Sequence, residues 1–248
     1  MFSYQEYVEI IKNIKLSGKQ STYCDVLKYN KQEFIIVRHD VEFSVKRAYQ
    51  LACLEERNAI KSNYFFQLSS NAYNILSGCN LDIVNEIKSM GHEVGLHFYI
   101  NGLVETDQIK QEIKNEIEIM NSKFHFPINC FSFHRPPSFV LEANIKIPGM
   151  INAYQNDFFQ YVKDINTYKP VIKYLSDARH RWNYGLVPDG DTLMNNKKVQ
   201  ILIHPYSWTE LGYDNKDNFK TLFKEKQQEL LETFDSECMH FRDIKNEL

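Results

Sequence analysis

The sequence predicts an α/β protein built on a parallel sheet or barrel, and three observations carry that expectation. Short apolar runs alternate with helix-patterned segments from residue 34 to about residue 122. The first run, FIIV at 34–37, is continuously apolar, as in a parallel strand buried on both faces. Four runs close on polar clusters: RHDVE (38–42), LHFYIN (96–101), FHRPP (133–137) and IHPYSW (203–208). In parallel α/β folds the reacting groups gather at the carboxyl ends of strands, and four such clusters are hard to obtain from an ordinary solvated surface.

Taken in order, FIIVRHD (34–40) reads as the first strand, and SVKRAYQLACLEERN (44–58) as a helix with Ser44 at its N-cap. SNYFFQL (62–68) is aromatic-rich and strand-like. NLDIVNEIKSMG (80–91) sets Leu81, Val84 and Ile87 on one helical face, with Gly91 as its stop. EVGLHF (93–98) is the next strand. QIKQEIKNEIEIMN (108–121) repeats Ile109, Ile113, Ile117 and Met120 at helical spacing. CFSFH (130–134), IKYL (172–175) and VQILIH (199–204) read as further strands, while 138–198 as a whole is less regular. NFKTLFKEKQQELLETF (218–234) predicts a terminal helix with Phe219, Leu222, Phe223, Leu230 and Phe234 on its inner face.

A chain of 248 residues can bury a substantial single core, so one domain over 1–248 is expected, with its centre at about 34–208 and the terminal segments packed on it. Hydrophobic content of 43%, charged content of 25% and a net charge of −3 without a basic block argue against an extended nucleic-acid surface. No apolar run approaches the roughly 18 residues of a membrane span. The start, MFSYQEYVEIIKNIK, carries Glu6 and Glu9 and lacks a signal-peptide core, so a cytoplasmic location is expected. The five cysteines are spread without a CxxC pair, against a disulfide framework or a cysteine-rich zinc module. Cys53 and Cys130 lie in apolar surroundings that suit a buried small hydrophobe.

GHEVGLHFYIN (91–101) brackets a glutamate with two histidines and invites comparison with the zincin HExxH signature. That signature needs histidines four apart on one helical face, whereas His92 and His97 are five apart. Val94, Leu96 and Phe98 alternate as in a strand, and odd spacing on a strand sends His92 and His97 to opposite faces. His97 shares its face with Gly95.

The strand ends hold candidate chemistry. Asp40 and Glu42 face the same way on an extended segment; either they are carboxylates at a helix start beside Ser44, or one holds a metal while the other takes a proton. Carboxylate and imidazole suit a divalent ion such as zinc, which lowers the pKa of water to about 7, and His97 is the leading imidazole. Arg135, before Pro136 and Pro137, either makes a structural salt bridge or holds a carboxylate through a bidentate pair. His204 is either a capped core histidine or a proton donor to a leaving amine. His39 and His134 are candidates for ligands or for donors behind them. His125, His180 and His240 read as surface or structural. Tyr99, Trp182, Tyr206 and Trp208 could stack on a sugar ring or belong to the core.

With these ends assembled, the chain from about residue 34 to 208 resembles the polysaccharide deacetylase family, the family 4 carbohydrate esterases that share the chitin-deacetylase homology domain. The resemblance implies a distorted (β/α) barrel of about seven parallel strands and a metal-dependent removal of acyl groups. RHDVE is similar to the family's D-x-D motif, implying Asp40 as base and Glu42 as metal ligand. GHEVGLHFYIN is similar to the motif of two histidines four apart, with His97 as the first and Asn101 where the second stands in the family. SFHRPPS matches the arginine motif, implying that Arg135 orients the base. YLSDARHRW supplies Asp177 and Trp182, and LIH supplies His204 as general acid. The wording is similar to a subgroup associated with bacterial surface-polysaccharide gene clusters.

Glu42 lengthens the usual aspartate by one methylene, and Asn101 is a poor zinc ligand, so His134 or His39 is expected to complete the site. The resemblance then implies a catalytic set of Asp40, Arg135, Asp177 and His204. Its metal ligands would be Glu42, His97 and His134, and its substrate contacts Tyr99, Asn101, Trp182 and Trp208. The ion would be zinc, with cobalt, nickel or manganese as alternatives. The expected activity is hydrolysis of an N-acylated sugar or sugar nucleotide, with a glycan or small-molecule partner and neither nucleic acid nor a membrane span. The alternatives are a degenerate carbohydrate-binding relative and a hydrolase of non-sugar amides.

Overall fold

The computed structural model describes residues 1–161, 171–182 and 187–245. Its centre is a curled half-barrel of parallel strands, the distorted (β/α) barrel that the family resemblance implies. The helix α1 (Tyr4–Ser17), strand β1 (Gln20–Ser21) and helix α2 (Tyr23–Tyr29) precede the first long strand, β2 (Phe34–Val41). Then come α3 (Val45–Arg57), β3 (Asn63–Phe66), α4 (Gly78–Ser89), β4 (Glu93–Tyr99), α5 (Thr106–Asn121) and β5 (Cys130–His134). The short α6 (Ser138–Glu142) and β6 (Ile151–Asn152) lead to β7 (Ile172–Ser176), α7 (Gly190–Asn195) and β8 (Lys198–Ile203). A 3₁₀ turn over Pro205–Ser207, α8 (Asn215–Glu237) and α9 (Met239–Ile244) complete the described chain.

The strand order is β6-β5-β4-β3-β2-β8-β7, all parallel, with β1 alongside the first half of β2. Every residue of β2 is buried, the pattern of a central parallel strand. Its two faces part company by alternation. Phe34 and Ile36 point inward with Phe65, Cys130 and Phe158, whereas Ile35 and Val37 pack outward under α1 and α3. On the other side of the sheet's midline, α3, α4 and α5 cover Tyr64, Leu96, Phe98 and Phe131 with Val84, Ile87, Ile109, Ile113, Ile117 and Met120. Ser44 caps α3, its Oγ accepting from the Arg47 N–H at 3.2 Å.

Side chains tie β7 and β8 to the segment that follows β6. Gln200 of β8 donates to the carbonyls of Ala153 and Phe158 at 3.0 and 2.9 Å, and Phe159 meets Tyr174 edge-on at 5.1 Å. Gly95 lies where the barrel narrows: a Cβ there would stand 2.6 Å from the Phe65 ring and 2.7 Å from the Cys130 carbonyl, so no larger residue fits.

The terminal helix corrects one expectation. Leu222 is buried, but Phe223, Leu230 and Phe234 are 73%, 52% and 43% exposed. α8 docks through its first turns, where Phe219 lies near Phe43 and Tyr206 and Glu225 pairs with Arg47. Farther along, Phe234 meets Phe241 of α9 at 5.4 Å rather than the sheet. Apolar periodicity marks a face without saying what covers it. Among the described residues no helix is long and apolar enough to cross a membrane.

Candidate active site and metal centre

Arg38, Asp40 and Glu42 alternate along β2 and its exit, so all three point into the mouth of the half-barrel while His39 and Val41 point out. Arg38 grips Asp40 with two hydrogen bonds, Nε to Oδ1 at 2.8 Å and Nη2 to Oδ2 at 2.5 Å. The guanidinium is fully buried and also donates to the Tyr154 hydroxyl at 2.9 Å and to Gln200 Oε1 at 3.3 Å. Burial alone would raise the Asp40 carboxyl, but the charge of Arg38, helped by His97, outweighs it and holds the group well below the usual carboxylate range. Asp40 is therefore ionised at neutral pH and acts as an acceptor.

Three further donors converge beside it. Glu42, His97 and His134 bring one ligand atom each within 4.8 Å of one another. His97 and His134 stand at the ends of adjacent strands, their facing nitrogens (Nε2 and Nδ1) 3.2 Å apart, and His134 Nδ1 is 3.0 Å from Glu42 Oε1. Ser132 sets the His97 ring: its Oγ–H donates to Asp40 Oδ1 at 3.2 Å, so the His97 Nδ1 at 2.8 Å is the donor to that oxygen. The Nε2 lone pair is thereby left facing the other two ligands. Burial pushes the His97 imidazole down to about 4 against the pull of Asp40 and Glu42, so it is neutral at pH 7. Glu42 is lowered; burial opposes this, and the hydrogen bond from His134 and the neighbouring imidazoles prevail. One carboxylate and two imidazoles on a partly exposed rim form a donor set suited to a divalent ion, zinc above all.

The third group is built from β7 and β8. Asp177, fully buried, accepts from the His204 backbone N–H at 3.0 Å, from its ring Nδ1 at 2.6 Å and from Trp208 Nε1 at 2.8 Å. Burial would lower the His204 imidazole, but the charge and hydrogen bond of Asp177 reverse this and push it up to about 9. His204 is thus a protonated imidazole whose Nδ1 is occupied and whose Nε2 is free to donate, and its charge is felt at both Asp40 and Glu42.

Of the residues singled out in the sequence, Asp40, Glu42, His97, His134, Asp177 and His204 come together at this rim, and Tyr99 joins them, its 51%-exposed ring 5.3 Å from that of His134. Others stand elsewhere. Arg135 is exposed, and the bidentate grip expected of it is made by Arg38. Sequence reasoning missed Arg38, although its i, i+2 spacing from Asp40 on an all-buried strand is the signal that identifies it. Trp208 is 1% exposed and holds Asp177, so it offers no ring face to a ligand. Trp182 packs near Phe2 and Trp208. Asn101 is exposed in a left-handed turn, with φ 48.

His39 lies on the opposite face of β2, away from the donor group. Its Nε2 is 2.8 Å from Glu55, and its ring stacks on Tyr64 at 4.1 Å. The same buried carboxylate takes hydrogen bonds from Tyr7, Ser62 and Tyr64. His92 sits there too, 3.6 Å from Glu55, so His92 and His97 do occupy opposite faces.

No family model matches the chain, and no curated protein does. Among solved structures it is similar to a Streptococcus mutans CE4 esterase, at 15% identity and a TM-score of 0.44 over 86% of this chain and 87% of that one. It is similar also to the chitin deacetylase of the fungal pathogen Colletotrichum lindemuthianum, at 17% identity and a TM-score of 0.41 over 77% and 81%. A CE4 family pseudoenzyme from Bacillus anthracis matches at 13% identity and a TM-score of 0.42 over 81% and 62%, so the chain spans under two thirds of that protein's length.

Proposed function

We propose that this chain is a metal-dependent hydrolase that removes the acyl group from an N-acylated sugar or sugar nucleotide, of the polysaccharide deacetylase type. One observation carries the reading: an ionised carboxylate, a three-ligand donor group and a protonated imidazole share one rim at the carboxyl ends of parallel strands.

Glu42, His97 and His134 are the residues that would hold the ion, with His134 in the role the family gives to the position of Asn101. Bound there, a divalent ion supplies Lewis acidity, acidifying water and polarising an acyl carbonyl. That contribution suits Asp40, whose pairing with Arg38 makes it a weak base that needs an acidified water to deprotonate. Asp40, with both oxygens oriented by Arg38 and one also by Ser132, accepts the proton. Asp177 holds the His204 imidazolium through Nδ1, so that Nε2–H faces the mouth and donates to the departing amine. Breaking the C–N bond leaves a carboxylic acid and a free amino sugar. Tyr99 offers an apolar ring face to the sugar at the mouth.

A role in bacterial surface-polysaccharide synthesis is part of the same proposal and rests on the wording of the sequence motifs. The test is release of acetate together with a free amine from N-acetylglucosamine, its 1-phosphate and its nucleotide diphosphate ester, with Zn²⁺ or Co²⁺ present. Release by the wild type and loss of at least about 100-fold in Asp40→Asn and His204→Gln is the expected result. Full release by Asp40→Asn would overturn the assignment. Unimpaired binding of these sugars with no release under any metal would favour the carbohydrate-binding alternative.

A further inference from the structure

Arg135 is left over from a site that has already provided Asp40 with a guanidinium. It follows His134 directly at the carboxyl end of β5 and precedes Pro136 and Pro137, which stiffen the exit. Its φ of 47 places a residue with a β-carbon in the left-handed region, a conformation that costs on the order of 1 kcal/mol and persists where the surroundings impose it. It is exposed, and among the described residues it makes no hydrogen bond or ion pair.

The two most buried carboxylates of the rim already have cationic partners. Asp40 has Arg38 and Asp177 has His204, while Glu42 lies 3.0 Å from the His134 ring. Among the described residues Arg135 is an unmatched cation beside them, and its charge reaches the Tyr206 hydroxyl, where Glu42 and Asp177 are also felt. A solvent-facing guanidinium on a constrained backbone, with five donors and no acceptor, is a receptor for a planar or tetrahedral anion.

We propose that Arg135 selects substrates bearing an anionic group, a phosphate ester or a carboxylate, and holds that group at the mouth while the acyl amide lies between Asp40 and His204. The sugar in this statement rests on the function proposed above; the anion does not. Arg135 is a specificity-determining residue in this account, and the substrate class is an anionic N-acylated sugar rather than a neutral glycan.

The test uses deacylated probes, which cannot be turned over: glucosamine, glucosamine 1-phosphate and 2-amino-2-deoxyglucuronic acid. Each is titrated calorimetrically into the zinc-supplemented full chain as wild type, Arg135→Gln and Arg135→Lys. The wild type should bind one anionic probe about tenfold or more tightly than glucosamine, the range of a charge-assisted contact. The stronger of the two anionic arms tells phosphate from carboxylate. In Arg135→Gln the preference should fall toward one, and Arg135→Lys should keep part of it. A wild type that binds none of the probes or shows no preference, or an Arg135→Gln chain that keeps the preference, overturns the proposal. Acetate release from the acetylated counterparts is read separately: absent release with an intact anion preference sinks the deacylase reading and leaves the anion site standing.

Discussion

Arg38 and Asp40 stand two residues apart on one strand and meet side chain to side chain, Nε to Oδ1 at 2.8 Å and Nη2 to Oδ2 at 2.5 Å. Both are buried, so each charge depends on the other. Arg38→Gln leaves an ionised carboxylate in the barrel without its partner and should destabilise the fold by about 3–5 kcal/mol in denaturant titrations. Arg135→Gln, on an exposed arginine, should change stability by less than about 0.5 kcal/mol. Equal costs for the two would contradict the assignment of Arg38 as the residue that orients Asp40.

Ser132 links Asp40 to His97. Removing its hydroxyl frees the imidazole to rotate and to change tautomer. Ser132→Ala should weaken metal binding about 10–100-fold in chelator competition, the usual effect of losing a hydrogen bond behind a ligand, while the far-ultraviolet circular dichroism stays unchanged. Unaltered affinity would mean that the ring is held by packing alone.

The Asp177–His204 pair sets a pH limit. The folded pKa of His204, about 9, lies above the value of about 6.5 for a free imidazole. The stability this pair contributes is complete below about 6.5 and is lost as pH rises through about 9. Proton donation from His204 follows the same curve, so activity should fall on the alkaline side near 9. Asp177→Asn should move that limb down by more than a unit; a limb that does not move would assign it to another group.

On the outer face of β2 the buried Glu55 carboxylate is held at about 2; burial pushes it up, and His39 more than compensates. Because this pKa is depressed, its contribution to stability is present above about 4.5 and fades as pH falls toward 2. Glu55→Ala should cost about 3 kcal/mol or more by stranding the Tyr7, Ser62, Tyr64 and His39 donors, and it should flatten the acid limb of the stability profile. Retention of the wild-type acid limb in Glu55→Ala would contradict this role.

Gly95→Ala pushes a methyl into the Phe65 ring and the Cys130 carbonyl. A cost of about 1–3 kcal/mol is expected from overpacking, with weaker metal binding because His97 lies two residues along the same strand. Wild-type thermal stability would show that the narrowing of the barrel is softer than it looks.

Much of the architecture was legible because buried parallel strands announce themselves: FIIVRHD, EVGLHF, CFSFH and VQILIH all fall where strands form, and their polar ends make the rim. The helix α1 was not anticipated, although its capping box, Ser3 with Glu6, is written in SYQE. The buried Glu55 network was illegible for a different reason. LEER at a helix end looks like a solvated turn, and only the tertiary fold brings Tyr7, His39, Ser62 and Tyr64 around it. Trp208 stands among the expected substrate contacts because an aromatic at a strand end has no local mark that tells a core tryptophan from an exposed one. His134 stands in the expected ligand set, but the spacing alone does not separate it from His39, since the choice depends on which face of which strand reaches Glu42.

The central claim is that Glu42, His97 and His134 hold a divalent ion beside Asp40, and elemental analysis of the purified protein tests it most directly. The account predicts about one transition-metal ion per chain, lost in His134→Ala as fully as in Glu42→Ala or His97→Ala, and retained in Asn101→Ala. A chain that stays empty with added Zn²⁺, Co²⁺ or Ni²⁺, or one that keeps its ion after His134→Ala, would contradict it.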